Sequence, residues 1–324
     1  MRPYHAPWWL PGGHLQTIYP YFSLRRRPPI YRRERWKTPD GDFIDLDWLP
    51  GGEAHAPLVA LFHGLEGGSA SHYASALMRA VLHRHWRGVV IHFRGCSGEP
   101  NRLPRAYHSG DTDEIDWILR RLRELNSASA LFAAGVSLGG NALLKWLGRE
   151  RVSALKIIDA AAAVSAPVDL MAAGDRLSVG VNRLYGHHFL QTLKKKSLEK
   201  LQRFPAIYDA NVVREARTLR EFDNVVTAPL HGYRDTDDYW TRASSKPDLL
   251  DIVVPTLIVQ ARNDPFLPGR YLPAANEVAP LVTLEYPDGG GHAGFVSGPF
   301  PGNLYWLPQR LLAFFSETIH HATR

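Results

Sequence analysis

Short apolar runs recur along the chain and alternate with amphipathic stretches. Leu58–Phe62, Gly88–Phe93, Leu131–Gly135 and Ala154–Ser165 are such runs, and Pro255–Gln260 and Val282–Tyr286 repeat the pattern nearer the C-terminus. Each reads as a strand buried on both faces. Between them, residues 71–85 and 111–125 read as helices. In the second, Ile115, Ile118, Leu119 and Leu122 form an apolar stripe, and Asp111 stands where a capping residue is expected. Upstream, Tyr31–Thr38 and Phe43–Trp48 flank the turn Pro39-Asp-Gly-Asp42, and the second segment alternates apolar and polar residues. That pattern predicts an antiparallel hairpin. A strand–helix alternation behind a hairpin predicts an α/β fold with a mostly parallel central sheet and helices on both faces.

The alternation lapses after Pro167. Residues 168–248 carry helical patches, Leu190–Arg203 and Val212–Phe222, with few strand signals. They read as a helical cap inserted between strands. Ala274–Val278 reads as a further helical turn and Leu304–His320 as a terminal helix. Residues 1–30 show no clear period. Pro3, Pro7, Pro11, Pro20, Pro28 and Pro29 argue against a long helix there. The many aromatics imply an arm packed on the body, since a free tail would leave them in water. The expected division is an arm (1–30), a first part of the core (31–167), the cap (168–248) and a second part of the core (249–324).

With 324 residues, 45% hydrophobic and 22% charged, the chain has globular composition, which excludes wholesale disorder. The formal charge of +6 gathers in two clusters, Arg25–Arg27 through Lys37 and Lys194–Lys196. They read as solvated surface; no nucleic-acid motif accompanies them. Attraction to anionic lipid headgroups is the alternative, and it leaves peripheral membrane contact open. Cys96 is the only cysteine, so no intrachain disulfide and no cysteine-based zinc site is expected. The N-terminus carries no apolar signal segment, and no run is long enough to span a membrane. A cytoplasmic protein is expected. Nothing in the pattern speaks to oligomeric state.

The chemistry centres on Gly135-Val-Ser-Leu-Gly139, at the end of one apolar run and ahead of a helical stretch. Gly-x-Ser-x-Gly in that setting places Ser137 on a sharp elbow as a nucleophile, with the following helix pointing N–H groups toward it. A serine needs a base, and the base needs an orienting acid. Asp264 follows the 255–260 strand in Asn263-Asp-Pro-Phe266, where Pro265 disfavours helix. His292 follows the last strand in Asp288-Gly-Gly-Gly-His292, and its three glycines suggest close approach to other backbone. Asp235, Asp237 and Asp238 fall in the cap, and Asp288 is too near the histidine. The order Ser137, Asp264, His292 is that of an α/β-hydrolase triad. The oxyanion donors expected by position are the Leu138 N–H and the Leu65 N–H, the latter in the loop His63-Gly-Leu-Glu-Gly67. His63 shapes that loop, and His14 is structural. No metal or organic cofactor is called for.

The chain resembles the α/β-hydrolase superfamily and, within it, the YheT-like family (AB hydrolase family 4). The resemblance is carried by Gly13-His-Leu-Gln-Thr17, His63-Gly-Leu-Glu-Gly67, Phe93-Arg-Gly-Cys-Ser-Gly98, Tyr107-His-Ser-Gly-Asp111, Gly135-Val-Ser-Leu-Gly-Gly-Asn141, Asn263-Asp-Pro-Phe266 and Gly291-His-Ala-Gly-Phe295. It implies esterase activity on carboxylic esters through Ser137, Asp264 and His292. The expected substrate is a small-molecule acyl ester or a lipid-like ester. An acyltransferase or thioesterase on the same triad, or a non-catalytic lipid- or partner-binding protein on the same scaffold, is the alternative.

Overall fold

The computed structural model describes residues 2–24 and 27–322, the last three as backbone only, so Arg25 and Arg26 of the first basic cluster lie outside the described residues. Eight strands form one sheet: β1 (Arg32–Lys37), β2 (Phe43–Trp48), β3 (Leu58–Phe62), β4 (Arg87–His92), β5 (Leu131–Val136), β6 (Ala160–Val164), β7 (Thr256–Val259) and β8 (Val282–Glu285). Their spatial order is β1-β2-β4-β3-β5-β6-β7-β8, with β1–β2 and β2–β4 antiparallel and every other pair parallel. Side chains that alternate along a strand reach two separate cores. Leu58, Ala60 and Phe62 pack toward α3 (Thr112–Leu125) and α4 (Leu138–Glu150), and Val59 and Leu61 toward α2 (His72–His83). The second core is closed by the C-terminal helix Trp306–Ala322, through Leu311, Leu312 and Phe315. Burial on both faces explains why the strands read as apolar runs.

β2 departs from the one-sided burial that its alternation suggests. Phe43 through Asp47 are all buried. The hairpin register sets Arg33 opposite Asp47 and Arg35 opposite Asp45, and each guanidinium grips its carboxylate through two nitrogens. Burial alone would raise the Asp47 pKa. Hydrogen bonds from His92, Arg33 and Ser69 outweigh it and hold this carboxyl far below the usual range. The acids are tolerated inside because each has charged partners.

Other expectations need correction. Only Ala160–Val164 of the 154–165 run is strand; residues 151–156 form a 3-10 turn. Asp159, just before the strand, spends its carboxylate on Leu131 N (2.8 Å) and Arg123 (2.6 Å). Asp111 occupies the N-cap of α3 but makes no capping bond, because its side chain pairs with Arg105. The arm contains α1 (Gly13–Ser23), a helix that tolerates Pro20 at the cost of one backbone bond.

The segment between β6 and β7 is helical: α5 (Leu170–Leu177), α6 (Arg183–Arg203), α7 (Ala210–Glu215), α8 (Leu219–Phe222), α9 (Ala228–Leu230) and α10 (Thr236–Ala243). α6 starts earlier than its sequence pattern. The stretch 212–222 breaks at Ala216, whose backbone is extended, and α8 restarts with Thr218 accepting the Glu221 N–H. The second basic cluster is not simply solvated. Lys196 pairs with Glu66 at 2.7 Å, and Lys194 donates to the Arg214 carbonyl. The last described element is α11 (Trp306–Ala322). No helix among the described residues is long and apolar enough to cross a membrane.

Candidate active site

β5 ends at Val136 and α4 begins at Leu138, so Ser137 makes the whole turn alone, at φ 54° and ψ −122°. A non-glycine residue held there is strained, and the strain is retained by what surrounds it. The Ser137 N–H donates to Val164 O at 2.8 Å. A Cβ on Gly139 would lie 2.5 Å from both the Phe62 and His63 carbonyl oxygens, so only glycine lets α4 start this close to β3. The seryl oxygen stands at the carboxyl end of a central strand, where open α/β sheets bind ligands.

His292 Nε2 lies 2.9 Å from Ser137 Oγ, and His292 Nδ1 lies 2.9 Å from Asp264 Oδ2. A carboxylate only accepts, so Nδ1 carries the proton and Nε2 is left to accept from the serine hydroxyl. Asp264 is buried and also accepts from Phe266 N (2.8 Å) and Gln260 Nε2 (2.7 Å). The Phe266 ring stacks on the imidazole with centroids 4.1 Å apart. Sequence reasoning placed these three residues on three separate loops, and the structure brings them together. The competing acids are elsewhere: Asp235 caps α10, and Asp288 faces Arg262.

The loop after β3 is held amide by amide. Gly64 N and Glu66 N donate to the hydroxyls of Tyr73 and Tyr107, Gly67 N to Gly64 O, and Gly68 N to Ser71 Oγ. The Leu65 N–H between them donates to no acceptor among the described residues. The Leu138 N–H, first in α4, has no intrahelical partner. Both residues line the cavity that contains Ser137 and His292. His63 is fully buried, and burial lowers its pKa to about 3. Its neutral ring donates from Nδ1 to Gly64 O (2.7 Å) and accepts Phe93 N at Nε2 (3.1 Å), so it braces the loop. His14 stacks on Tyr185, which packs edge-on against Phe266.

The cavity has a volume of about 690 Å3. It runs from Ser137 beneath α5 and α6, where Leu177, Phe189, Leu193, Val226 and Trp240 form an apolar wall. Asp223, half-buried, stands in that wall. Its carboxylate accepts from Thr227 Oγ1 (2.6 Å) and Trp240 Nε1 (2.8 Å). Burial raises its pKa to about 6 against the opposing pull of those two bonds. Lys200, on another wall, is pushed down to about 8 by burial.

Residues 57–299 match the family model described as the alpha/beta hydrolase fold. The chain belongs to this family. It is 40% identical over 302 residues to the Escherichia coli protein named "Putative esterase YheT", covering 92% of this chain and 88% of the relative. It is 30% identical over 327 residues to human "Phospholipase ABHD3", covering 98% and 80%. A Saccharomyces cerevisiae "Monoacylglycerol lipase" is 27% identical, covering 94% and 68%. Among solved structures, Est1E from Butyrivibrio proteoclasticus bound to ferulic acid superposes with a TM-score of 0.58 over 89% of this chain and 99% of that one. At 14% identity it speaks to the fold alone.

This α/β-hydrolase holds a second serine, histidine and aspartate cluster that sequence reasoning did not single out. Asp47 accepts from both Ser69 Oγ (2.6 Å) and His92 Nε2 (2.8 Å). There the carboxylate sits in the middle and the imidazole does not receive the serine proton, so the cluster lacks the order that activates a nucleophile. Also missed were Gln16, Thr17, Ser165 and Asn263, whose side chains hold the His292 loop. Gln16, Thr17 and Asn263 fall within the motifs that carry the family resemblance, but an amide acceptor has no pattern of its own.

Proposed function

We propose that the protein is a serine hydrolase of carboxylic esters, with residues 168–248 as a cap over the site. The observation that carries the proposal is the unbroken hydrogen-bond series from Ser137 Oγ through His292 to Asp264. His292 Nε2 takes the hydroxyl proton as Ser137 Oγ attacks the acyl carbonyl. The Leu65 and Leu138 N–H groups receive the developing oxyanion, and each such donor stabilises the transition state by roughly 3 kcal/mol. His292 then gives its proton to the departing alcohol, leaving an acyl-enzyme. Water repeats the sequence and releases the acid. Asp264 stays ionised, fixing the imidazole tautomer and offsetting its positive charge.

The apolar cavity supports an ester with a hydrophobic acyl chain, and its volume is that of a pocket enclosing one small ligand. The names of the esterase, phospholipase and lipase relatives support the same class. The test uses p-nitrophenyl esters of increasing chain length with wild-type protein and Ser137→Ala. Loss of turnover by at least about 10^4-fold is expected, with loss of labelling by a fluorophosphonate. A folded Ser137→Ala protein that hydrolyses these esters at the wild-type rate overturns the proposal.

A further inference from the structure

The loop that carries His292 is not held by a strand ladder. Four consecutive amides, residues 290 to 293, each donate to a side-chain oxygen from another part of the chain. Gly290 N donates to Gln16 Oε1 (2.7 Å), Gly291 N to Asn263 Oδ1 (3.0 Å), His292 N to Thr17 Oγ1 (2.9 Å) and Ala293 N to Ser165 Oγ (2.9 Å). Two of the four acceptors belong to α1.

Gln16 and Thr17 are themselves fixed. Thr17 Oγ1 donates to Gly13 O at 2.7 Å, so its proton is committed to its own helix and its lone pairs face the His292 N–H. Gln16 is buried. Its Nε2 donates to Leu10 O (2.8 Å), and its Oε1 accepts from Asn263 Nδ2 (3.0 Å) as well as from Gly290. Asn263 immediately precedes Asp264. One glutamine oxygen therefore joins the loop of the acid to the loop of the base.

Backbone packing says the same. A Cβ on Gly294 would lie 2.0 Å from Gln16 O, one on Gly291 2.7 Å from Thr17 N, and one on Gly13 1.9 Å from Asn263 O. The glycines flanking His292 are what allow α1 to come this close.

We infer that Gln16 and Thr17 of the N-terminal arm are positioning residues for the Ser137–His292–Asp264 constellation, setting where the imidazole stands between serine and carboxylate. The inference rests on the proposed catalytic reading. Neither residue touches the reacting atoms. Each acts through the backbone of the loop, where a displacement of about 1 Å is enough to cost on the order of 100-fold in rate.

Thr17→Val keeps the shape and removes the acceptor, and Thr17→Ser restores it. Ester hydrolysis is measured together with the downfield proton resonance of His292 Nδ1–H, assigned by its loss in His292→Ala. For Thr17→Val the expected result is a fall in kcat of about 10- to 100-fold with KM within about twofold. The resonance should shift or broaden. Thr17→Ser should recover both, and Gln16→Leu should reproduce the Thr17→Val defect. A folded Thr17→Val protein with wild-type kcat and an unmoved resonance overturns the inference, as does failure of Thr17→Ser to recover either. If Ser137→Ala retains full hydrolysis, the catalytic reading fails instead. The resonance then still decides whether Thr17 places the ring.

Discussion

Asp223 shows how one side chain ties the cavity wall to pH. Its carboxyl titrates near 6 in the folded protein against an ordinary value of 3.8. Between those values the folded chain keeps a proton that the unfolded chain has released, so stability falls as pH rises through that window and is level above it. The penalty above pH 6 is on the order of 3 kcal/mol. Asparagine can accept from Trp240 Nε1 and donate to Thr227, so Asp223→Asn should keep both contacts. Thermal unfolding should give similar melting temperatures for the two proteins near pH 4 and a higher one for the variant at pH 8. Equal melting temperatures at pH 8 would refute this. Ser137, Asp264 and His292 were legible at the same scale because each had a chemical type, a place after a strand and an order along the chain. Gln16 and Thr17 were not, because holding a backbone amide requires only an oxygen, and many residue types supply one.

Between elements, Asn141 is the joint. It lies on α4 one turn past Ser137 and is completely buried. One Nδ2 proton goes to Ala243 O (2.8 Å) and the other is shared between Ser109 O (3.0 Å) and Ser109 Oγ (2.9 Å), while its Oδ1 accepts Ser245 N (3.0 Å). The helix behind the serine is thereby tied to the loop before α3 and to the end of α10. Asn141→Leu keeps much of the volume but strands a buried amide and carbonyls, and should cost about 3 kcal/mol or more. Urea denaturation would measure this, and a loss below about 1 kcal/mol would show the joint to be dispensable. The strands were readable because burial on two faces forces continuous apolar runs. The segment between β6 and β7 was readable only as helical. Its short helices pack on one another, as Leu190, Val213 and Phe222 do, and their limits are set by those contacts and by local caps such as Thr218. Asp111 misled for a related reason: a nearby arginine outcompeted the helix end for its carboxylate.

Over the whole molecule, the mostly parallel sheet, the serine elbow and an aromatic arm packed on the body follow from the sequence, but the strand order and the place where the arm docks do not. Tyr4 packs against Phe295 and Trp306, and Trp9 against Phe300, so the first residues lie on the last loops. No periodicity reports such a contact. It also has a consequence in time. Gln16 and Gly290 are 274 positions apart, so at about 5–20 residues per second α1 waits roughly 14 to 55 s during synthesis for the loop it holds. Ser137 leaves the ribosome long before Asp264 or His292. Nascent chains arrested ahead of residue 292 should not react with a fluorophosphonate, whereas released full-length chains should. Labelling of the arrested chains would count against a site completed last. On this view the growing polypeptide holds Ser137 without its hydrogen-bond partners until residue 292 has been made, and reactivity toward the probe arises only then.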